Sequence, residues 1–473
     1  MKKILGVTDI VLLSVAAILS IRQIPNAAPY GAGAIVMWVL AAFIFFIPLT
    51  MCCGEMATGW PHEGGLFVWV RESFGGRIGW FVAISYIICC IIYNPLMLQF
   101  MFSSIGYAIS PALASNVQFI GWASIIAFWI LTLLNLKGIE GTKKITNWGA
   151  ILGIFPPLVI IVLLGGYWLL SGHPMATSYA LTAKNWLPNF GDLSTVVFFS
   201  TIMYAYAGME VSPMIAEHVK NPKRDFPKAM LIAGCVIAGL YILGNVGLNA
   251  LLPANSTDIA AGIMQAMVAA SKAMGLPWLP ILMGILMGVG IISALNAWLI
   301  GPIYMVNTAS GEHHIFGKKF DERDPETGAP KAALIWQAVF VTVLVFMTFI
   351  SKTATEAYWT LSAMTTLFYF IPFLFLFSGY MILRRKHPKV ERTYELPVSL
   401  RVIAPVVGFV ATLVAVILSF VPPTQVSIAS IFWFEFKLVV PVLILLIICD
   451  VLYVRAVKRD KDKPGNVPAD LPA

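Results

Sequence analysis

The sequence predicts an all-α membrane protein of twelve transmembrane helices, and three observations carry that prediction. First, the 473-residue chain is 59% hydrophobic and only 11% charged, a balance outside the range of soluble globular domains. Second, its apolar runs reach the ~20 residues of helix needed to cross ~30 Å of hydrocarbon. Third, its basic residues gather in alternate connections, the charge asymmetry of a multi-pass protein.

The apolar runs lie at about 7–30, 33–56, 78–107, 117–137, 147–170, 194–217, 229–252, 276–309, 332–351, 357–383, 401–421 and 433–455. The first is too long for a signal peptide and lacks a small-residue cleavage site, so it reads as a retained span. With both ends on one side of the bilayer, that side holds every one of the 31 Lys and Arg except Arg22, Lys184, Lys272, Lys352 and Lys437. This places both termini in the cytoplasm of a cell (plasma or inner) membrane. The net charge of +8 therefore reports orientation and the lipid bilayer. It does not point to nucleic acid, because no basic run is interleaved with stacking aromatics.

One polytopic transport domain is expected over 1–456, with 457–473 a short, charged, disordered cytoplasmic tail. The six cysteines, Cys52, Cys53, Cys89, Cys90, Cys235 and Cys449, sit in or at the ends of apolar runs. They read as small apolar side chains without zinc spacing. No metal or cofactor is expected. Without a nucleotide loop, zinc motif or nucleophile elbow, an enzyme has no machinery here. His313-His314 reads as a solvated loop pair, and Asn255-Ser256-Thr257 as a sequon that matters only in a eukaryotic source.

Arg22 and Glu210 are the only ionisable side chains near the middle of long apolar runs. A charge at that depth costs at least ~2.5–3.5 kcal/mol, and usually marks a pathway or a paired site. Each stands beside a helix breaker, in Arg22-Gln23-Ile24-Pro25 and in Ala207-Gly208-Met209-Glu210. Broken segments at matching places in two halves mark the centre of an inverted-repeat transporter. Residues 1–170 and 190–385 read as the two repeats of five spans each, the second inverted, with spans 11 and 12 (400–456) outside them. Gln23 and Asn26 extend a polar line around the first break. Tyr93-Asn94-Pro95 reads as a polar interruption of span 3.

Two stretches, Glu55-Met56-Ala57 with Glu63-Gly64-Gly65-Leu66-Phe67-Val68-Trp69-Val70, and Gly208-Met209-Glu210 leading to Val219-Lys220-Asn221-Pro222-Lys223-Arg224-Asp225-Phe226-Pro227, resemble the amino acid–polyamine–organocation superfamily. Gly262-Ile263-Met264-Gln265, Trp298-Leu299-Ile300-Gly301-Pro302, Lys386-His387-Pro388 with Arg392-Thr393, and Ser419-Phe420-Val421-Pro422-Pro423 look most like its glutamate/GABA antiporter branch. The resemblance spans about residues 5–455. It implies a LeuT-like fold, with substrate held between broken helices 1 and 6 and no cofactor.

By the same resemblance, the bend that receives a substrate carboxylate falls at Ile18-Leu19-Ser20, where the usual glycines are missing. The helix-6 aromatic gate falls at Tyr204, a helix-3 polar residue at Asn94 and a helix-8 aromatic at Trp298. The helix-6 glutamate, linked in relatives to pH or gating, falls at Glu210. The longer C-terminal plug of acid-resistance members has no counterpart in a tail this short.

The expected substrate site is therefore Ile18, Leu19, Ser20, Arg22, Gln23, Asn94, Tyr204, Ala207, Gly208 and Trp298, with Glu210 and Tyr204 gating or sensing protons. A broken helix offers N–H groups and a positive dipole end to an anion, and an arginine adds a bidentate fork. Three roles for Arg22 stay open: substrate carboxylate contact, a latch to Glu210, or snorkelling to an interface. Glu210 is either a backbone-bonded structural carboxylate or a proton-responsive gate. Tyr204 and Trp298 are either gates or ordinary core aromatics. The expected activity is exchange of a carboxylate-bearing, glutamate-like amino acid for a GABA-like amine or amino acid, by a monomer or homodimer, with protons as a candidate coupling ion. The alternatives are a proton-coupled symporter, an amine exchanger of the agmatine/putrescine or tyrosine/tyramine type, or a transport-inactive sensor.

Overall fold

The structure is a computed structural model that describes residues 4–253, 262–350, 354–421 and 431–461. The sequon, Lys352, Pro422-Pro423 and residues 462–473 lie outside them. Among the described residues every regular element is helical, and one isolated parallel bridge joins Leu5 to Val219. Nine described helical segments, some of them interrupted, are long and apolar enough to cross a membrane: Val7–Tyr30, Gly33–Gly59, Gly76–Ile109, Val117–Asn135, Gly138–Leu170, Pro222–Leu251, Leu279–Gly311, Met364–Lys386 and Leu400–Leu418. Thr195–Tyr204 and Lys331–Phe346 are shorter apolar helices. The chain is a multi-pass membrane protein.

Both expected breaks are present. The first helix ends at Ile18, and Leu19 (φ −74°, ψ 101°) and Ser20 (φ −122°, ψ 119°) are extended. The chain then rewinds through a tight turn at Ile21–Gln23 into Ile24–Ala27, where Pro25 occupies the first turn. A proline is harmless there because its missing N–H would have no helical partner. In the sixth run the helix Leu193–Tyr204 gives way to turns, then to a tight helical stretch at Ser212–His218. Gly208 sits between them at φ +121°, a conformation open to glycine and strained for other residues.

Span 3 behaves differently from expectation. The helix Gly76–Ile109 runs unbroken through Pro95, because one proline removes one backbone bond and the packed neighbours support the rest. The second span contains a π turn at Ala42–Phe46 shortly before Pro48; a mid-helix proline favours such a local change of pitch. The last helix, Ile431–Lys461, runs five residues into the expected tail. It is held by Arg459 donating to the His313 carbonyl (2.6 Å) and by Asp460 against His313 Nδ1 (3.1 Å).

Small residues let the helices approach, as they do where apolar burial between helices gives no drive. A Cβ on Gly153 would overlap the backbone of Gly290 where the 138–153 and 279–311 helices cross, and one on Gly165 would meet Gly247 at 2.7 Å. Beside the first crossing, Asn135 donates to Asn296 (2.7 Å), which donates to Thr146 Oγ1 (2.7 Å). Such a network is worth keeping only when its members are satisfied.

On the side carrying the basic loops, buried and half-buried charges tie the ends together. Glu55 pairs with Arg384 and lies 3.4 Å from Arg392, and it accepts from Tyr380 (2.8 Å) and from the Leu396 amide (3.0 Å). Glu63 pairs with Arg323. Asp9 pairs with Lys143 (2.8 Å) and accepts from Asn147 (2.7 Å). In the connecting loop, hydrogen bonds from Lys331 and from Thr327 hold Asp324 well below the usual carboxylate range.

Replacing Gly153 by Leu should lower thermal stability in detergent by more than the ~1–3 kcal/mol of ordinary core overpacking, since backbone on both sides must move. Gly239, where an added Cβ would have nothing within 4 Å, should accept Ala without loss. Fluorescence-detected thermal unfolding of both variants checks this.

Candidate functional site

The two breaks face each other. A Cβ on Gly208 would stand 3.0 Å from Ile18 Cγ1 and 3.2 Å from the Ala17 carbonyl carbon. At this crossing the backbone of helix 6 comes within contact of helix 1, which is why the position has no side chain. Backbone groups freed by a break must find partners, because lipid supplies none. Here side chains supply them. Trp298 Nε1 donates to the Ala17 carbonyl (2.7 Å). The Ser20 amide donates to the Tyr241 hydroxyl (3.1 Å), which lies 2.6 Å from the Ile18 carbonyl and 3.0 Å from that of Ala205. The Gly208 amide donates to the Tyr369 hydroxyl (2.8 Å). Asn245 donates to the Ile24 carbonyl (3.1 Å) beyond the break.

Glu210 is wholly buried, and its carboxylate accepts hydrogen bonds from two tyrosines. Tyr86 donates to Oε1, and the Tyr369 hydroxyl lies 3.0 and 3.2 Å from the two oxygens. Tyr369 thus relays the Gly208 N–H to the Glu210 carboxylate. The carboxylate is thus held by hydroxyls from the 76–109 and 354–386 helices. A phenol satisfies a carboxylate without bringing a second charge into the bilayer interior.

The walls are aromatic. Trp298 stacks on Tyr86 (centroids 6.1 Å, 12°) and touches Tyr93 and Tyr369 (5.0 and 6.1 Å). Tyr204 packs edge-on against Tyr369 (5.4 Å) and near Phe370 (6.2 Å). Behind the breaks, Trp38 stacks on Tyr241 (4.4 Å) and Phe46 on Tyr206 (4.6 Å).

The expected residues converge in part. Ile18, Leu19, Ser20, Ala207, Gly208 and Trp298 meet at the crossing. Arg22 (2% exposed) and Gln23 follow within the first break, Gln23 accepting from Asn26. Arg22 is an electrostatic neighbour of both Tyr204 and Tyr241, and Tyr93 neighbours both as well. Asn94 follows Tyr93 in the chain. It is fully buried, and neither its Oδ1 nor its Nδ2 has a protein partner among the described residues; the buried Tyr204 hydroxyl has none either. Buried polar atoms are nearly always satisfied, so such a pair calls for water or a ligand. By contrast, the Ser20 amide and the Trp298 indole N–H are already engaged by protein groups, which narrows the donors the first bend can offer. Sequence reasoning missed Tyr86, Tyr241 and Tyr369. Their one visible signal was a hydroxyl inside an apolar run, a signal diluted among 15 tyrosines.

The Tyr369→Phe variant removes the hydroxyl that bonds both the Gly208 N–H and the Glu210 carboxylate. It should lose ~1.5–3 kcal/mol of stability, the worth of a hydrogen bond to a charged group. Tyr394→Phe, at a half-buried hydroxyl, should lose little. Thermal unfolding of the two variants side by side tests the difference.

Comparison with known proteins agrees with this architecture. The amino acid permease family profile matches residues 5–447. An uncharacterized transporter of Legionella pneumophila is 31% identical over 92% of this chain and 93% of its own. A glutamate/gamma-aminobutyrate antiporter of Lactococcus lactis is 25% identical over 95% and 90%. A probable agmatine/putrescine antiporter of the same species is 22% identical over 81% of each chain. From the broken helices to the extent of the match, the chain belongs to the amino acid permease family, whose members are membrane transporters and not enzymes.

Proposed function

We propose that this permease is an alternating-access antiporter that exchanges a carboxylate-bearing, glutamate-like amino acid for a related amine or amino acid. In this reading it has twelve spans, with residues 1–170 and 190–385 as inverted repeats, 400–456 outside them, and both termini cytoplasmic. The observation that carries the reading is the crossing of two broken helices at Gly208 with a buried arginine in the first break. Arg22 and the turn that follows it receive the substrate carboxylate, since a guanidinium fork matches a carboxylate bidentately. Asn94 and the Tyr204 hydroxyl hold the amino end or its water. Trp298 and Tyr204 wall the site, and Trp298 also fixes the bend through the Ala17 carbonyl.

Glu210 is the gating carboxylate in this proposal. Tyr86 and Tyr369 come from two different helices, so their hydrogen bonds bring the 76–109 and 354–386 helices to the break of helix 6. A proton arriving at Glu210 would convert one accepting oxygen into a donor and disturb both bonds at once. The name of the glutamate/gamma-aminobutyrate relative supports the substrate class, and the agmatine/putrescine relative marks the nearest competing one.

Purified protein in liposomes, loaded with glutamate, GABA, agmatine or nothing and offered labelled glutamate outside, tests the proposal. Uptake that requires an internal amino acid or amine supports exchange. Uptake into empty vesicles under a pH gradient would make it a symporter. Agmatine exchange without glutamate flux would reassign the substrate class, and binding without flux would make it a sensor. Arg22→Ala should lower glutamate uptake about 30-fold or more, the effect of removing one charged partner worth ~2–3 kcal/mol, with smaller losses for Arg22→Lys.

A further inference from the structure

We infer that the lipid-facing groove between the 33–59 and 222–251 segments is a binding site for an anionic phospholipid, its acyl chain in the groove and its phosphate on Lys228. The groove has a volume of about 700 Å³ and is almost entirely apolar, with Phe46, Met51, Leu231 and Cys235 among its walls and Lys228 and Tyr394 in its lining. Its floor is deep because the two segments meet through glycines. A Cβ on Gly54 would stand 3.3 Å from Tyr394 and 3.5 Å from Met230, and one on Gly234 would stand 3.5 Å from Phe46. The π turn at Ala42–Phe46 opens the wall on one side, and Leu231 is 68% exposed on the other.

Any groove facing the bilayer is filled by acyl chains, so apolar shape alone selects nothing. Charge selects. Lys228 is exposed and forms no ion pair among the described residues, while its neighbours are engaged elsewhere: Lys223 lies 3.4 Å from Glu391, and Asp225 accepts from the Asn221 amide (3.3 Å). Arg224, also exposed, lies one helical turn nearer the membrane edge on the same face as Lys228. A lysine can lay its stem along apolar wall and hold its ammonium at head-group depth. Basic residues at the mouth of a groove between transmembrane helices are the usual recognition device for anionic lipid heads.

Occupancy would bear on transport. Phe46 lines the groove and stacks on Tyr206 at 4.6 Å, and the Tyr206 hydroxyl donates to the Trp38 carbonyl (3.2 Å). A chain seated against Phe46 therefore supports the break of helix 6 from behind.

The test uses the full chain in nanodiscs containing phosphatidylglycerol or phosphatidylcholine that carries a photoreactive diazirine in the acyl chain. After illumination, peptides from 42–54 and 227–238 are searched for lipid adducts. Phosphatidylglycerol should give about fivefold more adduct than phosphatidylcholine, the effect expected of one lysine near an anionic surface. Lys228→Gln should bring the two lipids level, whereas Lys272→Gln, at an exposed lysine on another helix, should keep the preference. Both changes are at exposed positions, so folding is preserved. Equal adduct yields from the two lipids in the unaltered protein would overturn the inference. So would a preference that survives Lys228→Gln, or crosslinks that join two protein chains at the groove instead of lipid.

Discussion

Everything at the centre of this protein depends on one constraint: backbone N–H and C=O groups released by two broken helices must be satisfied where no water is guaranteed. The structure meets it with side chains from other helices. Tyr241, Trp298 and Tyr369 reach from the 222–251, 279–311 and 354–386 helices to the Ser20 amide, the Ala17 carbonyl and the Gly208 amide. Each such bond does two things, removing a desolvation penalty and fixing the relative position of two spans. The breaks are therefore joints, braced by at least three other helices.

The same economy explains Glu210. A carboxylate buried in the membrane interior would favour a cationic partner, and Arg22 stands in the facing break. Two phenols donate to the carboxylate, and they couple it to the 76–109 and 354–386 helices. At the edge carrying the basic loops the pattern reverses, and full ion pairs such as Glu55 with Arg384 and Asp9 with Lys143 hold the ends. At the helix-6 break neutral donors hold the carboxylate; near the edge opposite charges do.

Much of this was legible in the sequence. Arg22 and Glu210 stood out because a charge within an apolar run has few explanations, and Gly208 and Pro25 marked the breaks because each has a backbone property that other residues lack. Glu55 and Glu63, visible only as part of a recurring pattern, are anchors of buried ion pairs. What stayed hidden was the bracing. Which tyrosine among many faces a break is set by helix rotation and crossing, and partners such as Tyr241 and Ser20 are 221 residues apart. The expected interruption at Asn94 failed for a related reason: a single proline in a packed span costs one hydrogen bond and need not break the helix. For Glu210, the charge was visible in the sequence and the hydroxyls of Tyr86 and Tyr369 that bond it were not.

If the two breaks together form the substrate site, substrate must shield both of them. Protection of cysteines placed one in each break tests this most directly. In a Cys235→Ser background, Ser20→Cys and Ala207→Cys are each treated with a small water-soluble thiol reagent, with and without the amino acid that supports the fastest exchange. Slower modification is expected at both positions, over the same substrate concentrations that saturate transport. Unchanged modification at both positions, in variants that still transport, would place the substrate elsewhere and contradict a site shared by the two breaks.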